Sequence, residues 1–183
     1  MSKLTGRDQT ALLVVDVQND VVGNAHHREE VVGRIAELVD RARATQTPVV
    51  WVQHNEPEMP IGSPGWQIVD DLVPADDEPR IDKQYGDSFA DTDLEAVFAA
   101  RKVDHVVLCG AQTDACITAT LYGAVHRGYD VTLVEDGHTT DDTEFQGQAL
   151  PADLLISHLV RAAKYSELPG ITLSSKPAAS ISL

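Results

Sequence analysis

The chain reads as an α/β protein, a three-layer α/β/α domain with a central, mostly parallel sheet, on three observations. Short continuous apolar runs, Ala11 to Val15, Val49 to Val52 and Val106 to Leu108, have the character of strands buried on both faces. Helical periodicity fills the stretches between them, which supplies the right-handed crossovers that parallel strands require. Polar residues begin where the runs stop, and in an open parallel sheet the carboxyl ends of the strands are where sites form.

In chain order, Ala11 to Val15 is followed by Asp16 and then Gln18-Asn19-Asp20. The polar segment His26 to Glu30 caps a helix from Val31, with Val32, Ile35, Leu38, Val39 and Ala42 inward and Arg34, Glu37 and Arg41 outward. Thr47-Pro48 closes that helix, because a proline disfavours helix in the residue before it. The strand Val49 to Val52 runs into Gln53-His54-Asn55. Glu56 to Pro79, rich in proline, glycine and acids, is expected to be a long loop with a short turn of helix near Trp66 to Leu72. Loops of that length in a compact domain are usually functional or mobile. Arg80 to Lys83 suits a short strand. Thr92 to Arg101 suits a helix capped by Asp91 or Thr92, with Leu94, Val97 and Phe98 buried. After Val106 to Leu108 and Gly110, helical spacing resumes at Thr113 through Ile117, Ala119, Leu121, Ala124 and Val125, with Thr113 or Asp114 as cap. Asp130 to Val134 is a strand ending in Glu135-Asp136-Gly137-His138. Pro151 opens the last helix, Ile171 to Leu173 is a last strand, and the Ser/Ala/Pro tail is expected to fray. One domain over 1–183 is expected, with a core of about 8–174 and a tail of 175–183.

Composition narrows the function. Apolar and charged fractions of 43% and 23% are those of an ordinary globular protein. No apolar run approaches the ~20 residues of a membrane span. A net charge of −15 repels phosphate backbones and anionic lipid, so neither nucleic acid nor a membrane is expected as partner. Two cysteines without paired spacing, and no signal-peptide pattern, point to free thiols and a cytoplasmic location.

Cys116 lies in the first turn of a helix that follows a buried strand. There free N–H groups and the helix dipole favour a thiolate, and the same amides suit an oxyanion. A thiol that cleaves an acyl bond also needs a cation nearby, for which Lys83 is the candidate, and a proton acceptor, for which Asp16 is suited. Each residue alone has a plainer role: Cys116 as a small core hydrophobe, Asp16 as a loop cap, Lys83 as a solvated lysine, His54 as a satisfied strand-end residue. Their joint placement at strand ends favours chemistry. His126, His138 and His158 are expected to be structural or surface residues.

Four segments resemble the isochorismatase-like cysteine hydrolase superfamily, which includes nicotinamidases, N-carbamoylsarcosine amidases and isochorismatases. They are Leu13 to Asp20, Pro48 to His54, Lys83 through Asp87-Ser88-Phe89 to Leu94, and Val107 to Cys116 continuing to Val131. The resemblance implies a catalytic triad of Asp16, Lys83 and Cys116. It implies a cis peptide at Ala111–Gln112, with the Gln112 and Cys116 amides as oxyanion hole, and a central first strand. It implies a homo-oligomer, dimer or tetramer. In such a mechanism Cys116 attacks an amide carbonyl, Asp16 protonates the departing amine, and water hydrolyses the thioester.

Two departures bear on the substrate. Nicotinamidases resemble one another in an Asp-x-His…His metal set after the second strand, where this chain has Gln53-His54-Asn55. Too few ligands remain, so neither metal nor other cofactor is expected, and nicotinamide is disfavoured. Val21 and Val22 stand where an aromatic commonly follows the first motif, which implies a roomier pocket. Val21, His54, Trp66 and Gln112 are the expected substrate-binding residues. The expected reaction is metal-free hydrolysis of a small carboxamide, lactam or carbamoyl compound. The alternatives are vinyl-ether hydrolysis by Asp16 alone and a non-catalytic binding or redox-sensing protein on the same scaffold.

Overall fold

Leu12 and Leu13, adjacent in sequence, are both fully buried, and they point into different cores. Leu12 and Val14 pack on one face of a six-stranded parallel sheet, and Leu13 and Val15 pack on the other. An unbroken apolar run is what a strand covered on both faces requires. The computed structural model describes residues 2–183.

The elements are β1 (Gln9–Val15), α1 (Asn19–Val22), α2 (Arg28–Ala44), β2 (Val49–His54), β3 (Arg80–Lys83), α3 (Leu94–Ala100) and β4 (Val103–Ala111). A π-helical turn (Thr113–Ile117) then runs into α4 (Thr118–Arg127). There follow β5 (Asp130–Thr139), the hairpin strands β6 (Thr143–Phe145) and β7 (Gln148–Leu150), α5 (Ala152–Tyr165), β8 (Leu173–Lys176) and a 3-10 turn (Ala178–Ser180). Sheet order is β3-β2-β1-β4-β5-β8, all parallel. Helix α2 covers one face, and α3, α4 and α5 cover the other. This is the three-layer α/β/α fold, with β1 inside the sheet between β2 and β4.

Three expectations are corrected. The stretch Trp66 to Leu72 forms no helix; it runs as turns fastened by an antiparallel bridge from Gln18 to Ile68. The reason is that polar side chains, not periodicity, hold it: Gln18 and Gln53 both donate to the Trp66 carbonyl, at 2.7 and 3.0 Å. The tail does not fray. Ala178 and Ile181 are buried against the α2 side, and Arg41 of α2 donates to the carbonyls of both. The helix after β4 is not capped by Thr113 or Asp114: Gln112 occupies the cap position, and Thr113 already lies within the π turn. The hairpin of β6 and β7, with its exposed pattern, carried no apolar signal in the sequence.

Candidate active site

The site is built along the edge where β3, β2, β1 and β4 end in that order. β1 stops at Val15, and Asp16 turns out of it with a left-handed backbone (φ 52), a conformation in which aspartate is enriched among non-glycine residues. β4 can lie against that bend only through Gly110. A Cβ there would sit 2.0 Å from the Val15 carbonyl oxygen, and the residue takes φ +123, so only glycine fits. One residue later the Ala111–Gln112 peptide is cis, and the chain enters the π turn that carries Cys116. His138 supports that turn: its Nδ1 meets Thr113 Oγ1 at 2.8 Å. Burial holds the His138 imidazole down at about 4, so it is neutral near pH 7.

Lys83, the last residue of β3, brings the segments together. Its ammonium is fully buried and lies 2.7 Å from Asp16 Oδ2, 3.1 Å from Cys116 Sγ and 3.2 Å from His54 Nδ1. An ammonium has three hydrogens to donate, and three partners receive them. The other ring nitrogen of His54, Nε2, lies 3.8 Å from Glu56. Gln18, fully buried, fixes His54 from behind: it donates to the His54 carbonyl at 2.9 Å and accepts from its amide at 2.7 Å.

Two ionisable groups depart from ordinary behaviour. Burial raises the Asp16 carboxyl, against the lowering effect of the Lys83 charge and hydrogen bond. Burial, and then the Asp16 charge, push the Cys116 thiol up to about 11, again against Lys83. That direction runs against the thiolate expected from the helical setting. Burial, and after it the neighbouring carboxylate, outweigh the cation and favour the thiol over the thiolate. Besides the Lys83 ammonium, Asp16 has the Cys116 thiol as a hydrogen-bond neighbour. A raised carboxyl and a raised thiol, side by side at the mouth of a cavity, form a pair across which one proton can be exchanged.

The cavity has a volume of about 380 Å³. Cys116, Asp16, Ala115 and Gln112 line it together with His54, Val21, Met59 and the acids Asp20, Glu56 and Glu58. The structure thus brings Val21, His54 and Gln112 to the cavity, and places Trp66 elsewhere. Trp66 lines a separate cleft with Gln53 and Ile68, because its backbone carbonyl is the anchor for Gln18 and Gln53. Gln112 faces the cavity while its side-chain amide donates to the Val21 carbonyl and to Asp141, at 3.2 and 3.0 Å. Sequence reasoning missed Gln18 as the clamp on His54. It also missed Glu56, Glu58 and Met59, whose polar and apolar alternation inside a proline-rich loop carries no signal of facing inward. Among the described residues no group of three or more His, Cys, Asp or Glu side chains is placed to hold a metal ion, and no helix is long and apolar enough to cross a membrane.

A thiol, an ammonium and a carboxyl thus stand together at the carboxyl edge of the parallel sheet. The isochorismatase domain model matches residues 10–153, and the chain belongs to the isochorismatase family of hydrolases. It is 33% identical over 153 residues to the uncharacterized isochorismatase family protein YddQ of Bacillus subtilis (strain 168), covering 79% of this chain and 85% of that one. It is 35% identical over 162 residues to a streptothricin hydrolase of Streptomyces noursei, covering 85% of this chain and 56% of that protein's length. The crystal structure of a cysteine hydrolase from Pseudomonas syringae pv. phaseolicola 1448A has the same fold. It superposes with a TM-score of 0.83 at 24% identity, over 93% of this chain and 89% of that one.

Proposed function

We propose that the chain is a cysteine amidohydrolase that cleaves a C–N bond of a small carboxamide, lactam or carbamoyl compound through a thioester on Cys116. The observation that supports this most is the single buried ammonium of Lys83, in contact with both Asp16 and Cys116. Vinyl-ether cleavage by Asp16 alone gives that contact to a sulfur no use.

In this reading Cys116 Sγ attacks the carbonyl carbon as its proton passes to Asp16. Because the thiol is raised to about 11, it does not ionise ahead of attack, and a carboxylate whose own affinity for protons is raised is the matched acceptor. The oxyanion is taken by the Gln112 and Cys116 backbone amides. The C–N bond then breaks as Asp16 gives its proton to nitrogen, leaving a thioester. Asp16 next takes a proton from water, hydroxide adds to the thioester, and the C–S bond breaks as the sulfur regains its proton. Lys83 favours the carboxylate form of Asp16 against its burial and orients the sulfur; His54 orients Lys83. A homo-oligomer in the cytoplasm belongs to the same reading, and light scattering on the purified protein checks the assembly.

The test is intact-mass analysis after brief exposure to a pooled library of small amides, lactams and carbamoyl compounds. The expected result is an acyl adduct on the native protein that is absent from Cys116→Ala. A native mass unchanged across the library, with turnover of a vinyl ether that survives Cys116→Ala and not Asp16→Asn, overturns it.

A further inference from the structure

We infer that the cavity over Cys116 selects a cationic ligand, so that the substrate is an amide carrying an ammonium or guanidinium group. The identity of the ligand as an amide rests on the reading above; the sign of its charge rests on the cavity alone.

Three carboxylates, Asp20, Glu56 and Glu58, share the wall of the space that holds the reactive sulfur, and no lysine or arginine lines it. Asp16 and Lys83 compensate one another, so they do not offset the wall. Among the described residues neither Asp20 nor Glu58 has a cationic partner, and Glu56 faces only the His54 ring.

The acids are held in position. Asp20 opens α1, and its amide donates to the Gly65 carbonyl at 3.1 Å. A Cβ on Gly65 would fall 1.8 Å from Asp20 Oδ2, so the long loop presses directly on that carboxylate. Glu56 and Glu58 sit on a tight turn in which the Glu56 and Met59 backbones bond to each other in both directions. The turn buries Met59, and Met59 and Val21 line the cavity as its apolar surface. The three acids are themselves exposed, so their summed field reaches the cavity and weakens as salt rises. A ligand with an alkyl segment against Met59 and Val21 and a cation among the acids satisfies every wall. An anionic ligand has to pass three carboxylates.

The charge of the cavity is read without any hydrolysis by labelling Cys116 with methanethiosulfonates of different charge. The probes are the cationic trimethylammonium-ethyl, neutral hydroxyethyl and anionic sulfonatoethyl reagents. Rates are followed by intact mass at low ionic strength and divided by those for free 2-mercaptoethanol; Cys109 is fully buried and stays silent. After that division the cationic reagent is expected to outpace the anionic one by about tenfold or more. The ratio shrinks toward one in Asp20→Asn/Glu56→Gln/Glu58→Gln, and also in the native protein as salt rises, which needs no variant to fold. A normalised ratio near one in native protein, or one that ignores both salt and the triple substitution, overturns the inference. In a second arm, 5-aminopentanamide and its isostere hexanamide compete with the neutral reagent. Protection by the amine alone supports the inference; equal protection by both, or by neither, counts against it. A cationic preference with no amide ever hydrolysed would sink the amidohydrolase reading and leave the charge assignment standing.

Discussion

Two clusters of like composition sit at opposite ends of the same sheet, and they behave differently. At the amino-terminal edge of the strands Arg7 donates to the Tyr129 hydroxyl at 2.7 Å and to Glu95 at 2.9 Å, and that hydroxyl donates to Glu95 at 2.8 Å. At the carboxyl edge Lys83, Asp16 and Cys116 make the corresponding cation, carboxylate and weak acid. The first cluster closes on itself: each member has its partner, and the ion pair is 19% and 46% exposed. The second is dry at the pair, 0% and 1% exposed, yet its sulfur and one carboxylate oxygen face a cavity. A closed polar triangle near solvent holds elements together. A buried one left open on one side has a proton to give and a place to put it.

The contrast can be broken most severely through activity. Cys116→Ala and Asp16→Asn are each expected to lower kcat/KM by roughly 10³-fold or more, whereas Glu95→Gln at the other edge leaves turnover close to native; comparable losses from both edges would erase the distinction. Stability sharpens it next. Lys83→Met strands a buried carboxylate and is expected to cost about 3–5 kcal/mol in denaturant unfolding. Arg7→Met removes a partly exposed pair and is expected to cost about 1 kcal/mol or less. Adding Asp16→Asn to Lys83→Met restores much of the loss, which a purely steric role for Lys83 does not predict.

A third effect involves the support beneath the π turn. His138 has a folded-state value near 4 against 6.5 when free, so below 6.5 the unfolded chain binds the extra proton. Its contribution is therefore intact above about pH 6.5, and stability falls as pH drops from there toward 4, by roughly 3 kcal/mol. His138→Gln flattens that part of the pH–stability curve; an unchanged slope contradicts the burial assigned to this ring.

The difference between the edges also shows what was legible before any coordinates. Asp16, Lys83 and Cys116 could be picked out because each is a polar or reactive residue placed where an apolar or strand-like run stops, and strand ends converge in a parallel sheet. The sheet itself was legible because β1, β2 and β4 are apolar on both faces. The loop was not. Trp66 resembles a pocket residue by its chemistry, but two glutamines that need its carbonyl set its position, and such long-range bonds leave no local pattern. Glu56 and Glu58 read as solvated acids until the turn that buries Met59 is seen. The tail looked frayed because Ser, Ala and Pro carry little apolar area; two arginine bonds and two small buried side chains suffice to dock it. The direction of the Cys116 shift was not legible for a related reason: the helical setting is visible in sequence, and the burial of the sulfur and of the Asp16 charge beside it is not.

The claim on which the rest depends is that Cys116 is a thiol held protonated by its burial and by the Asp16 charge beside it. The rate of Cys116 alkylation by iodoacetamide, followed against pH in the native protein and in Asp16→Asn, measures it directly. The native midpoint is expected near 11, moving down by roughly a unit or more when that charge is removed. A native midpoint at or below the ordinary thiol value of 9.0, unmoved by Asp16→Asn, would contradict it.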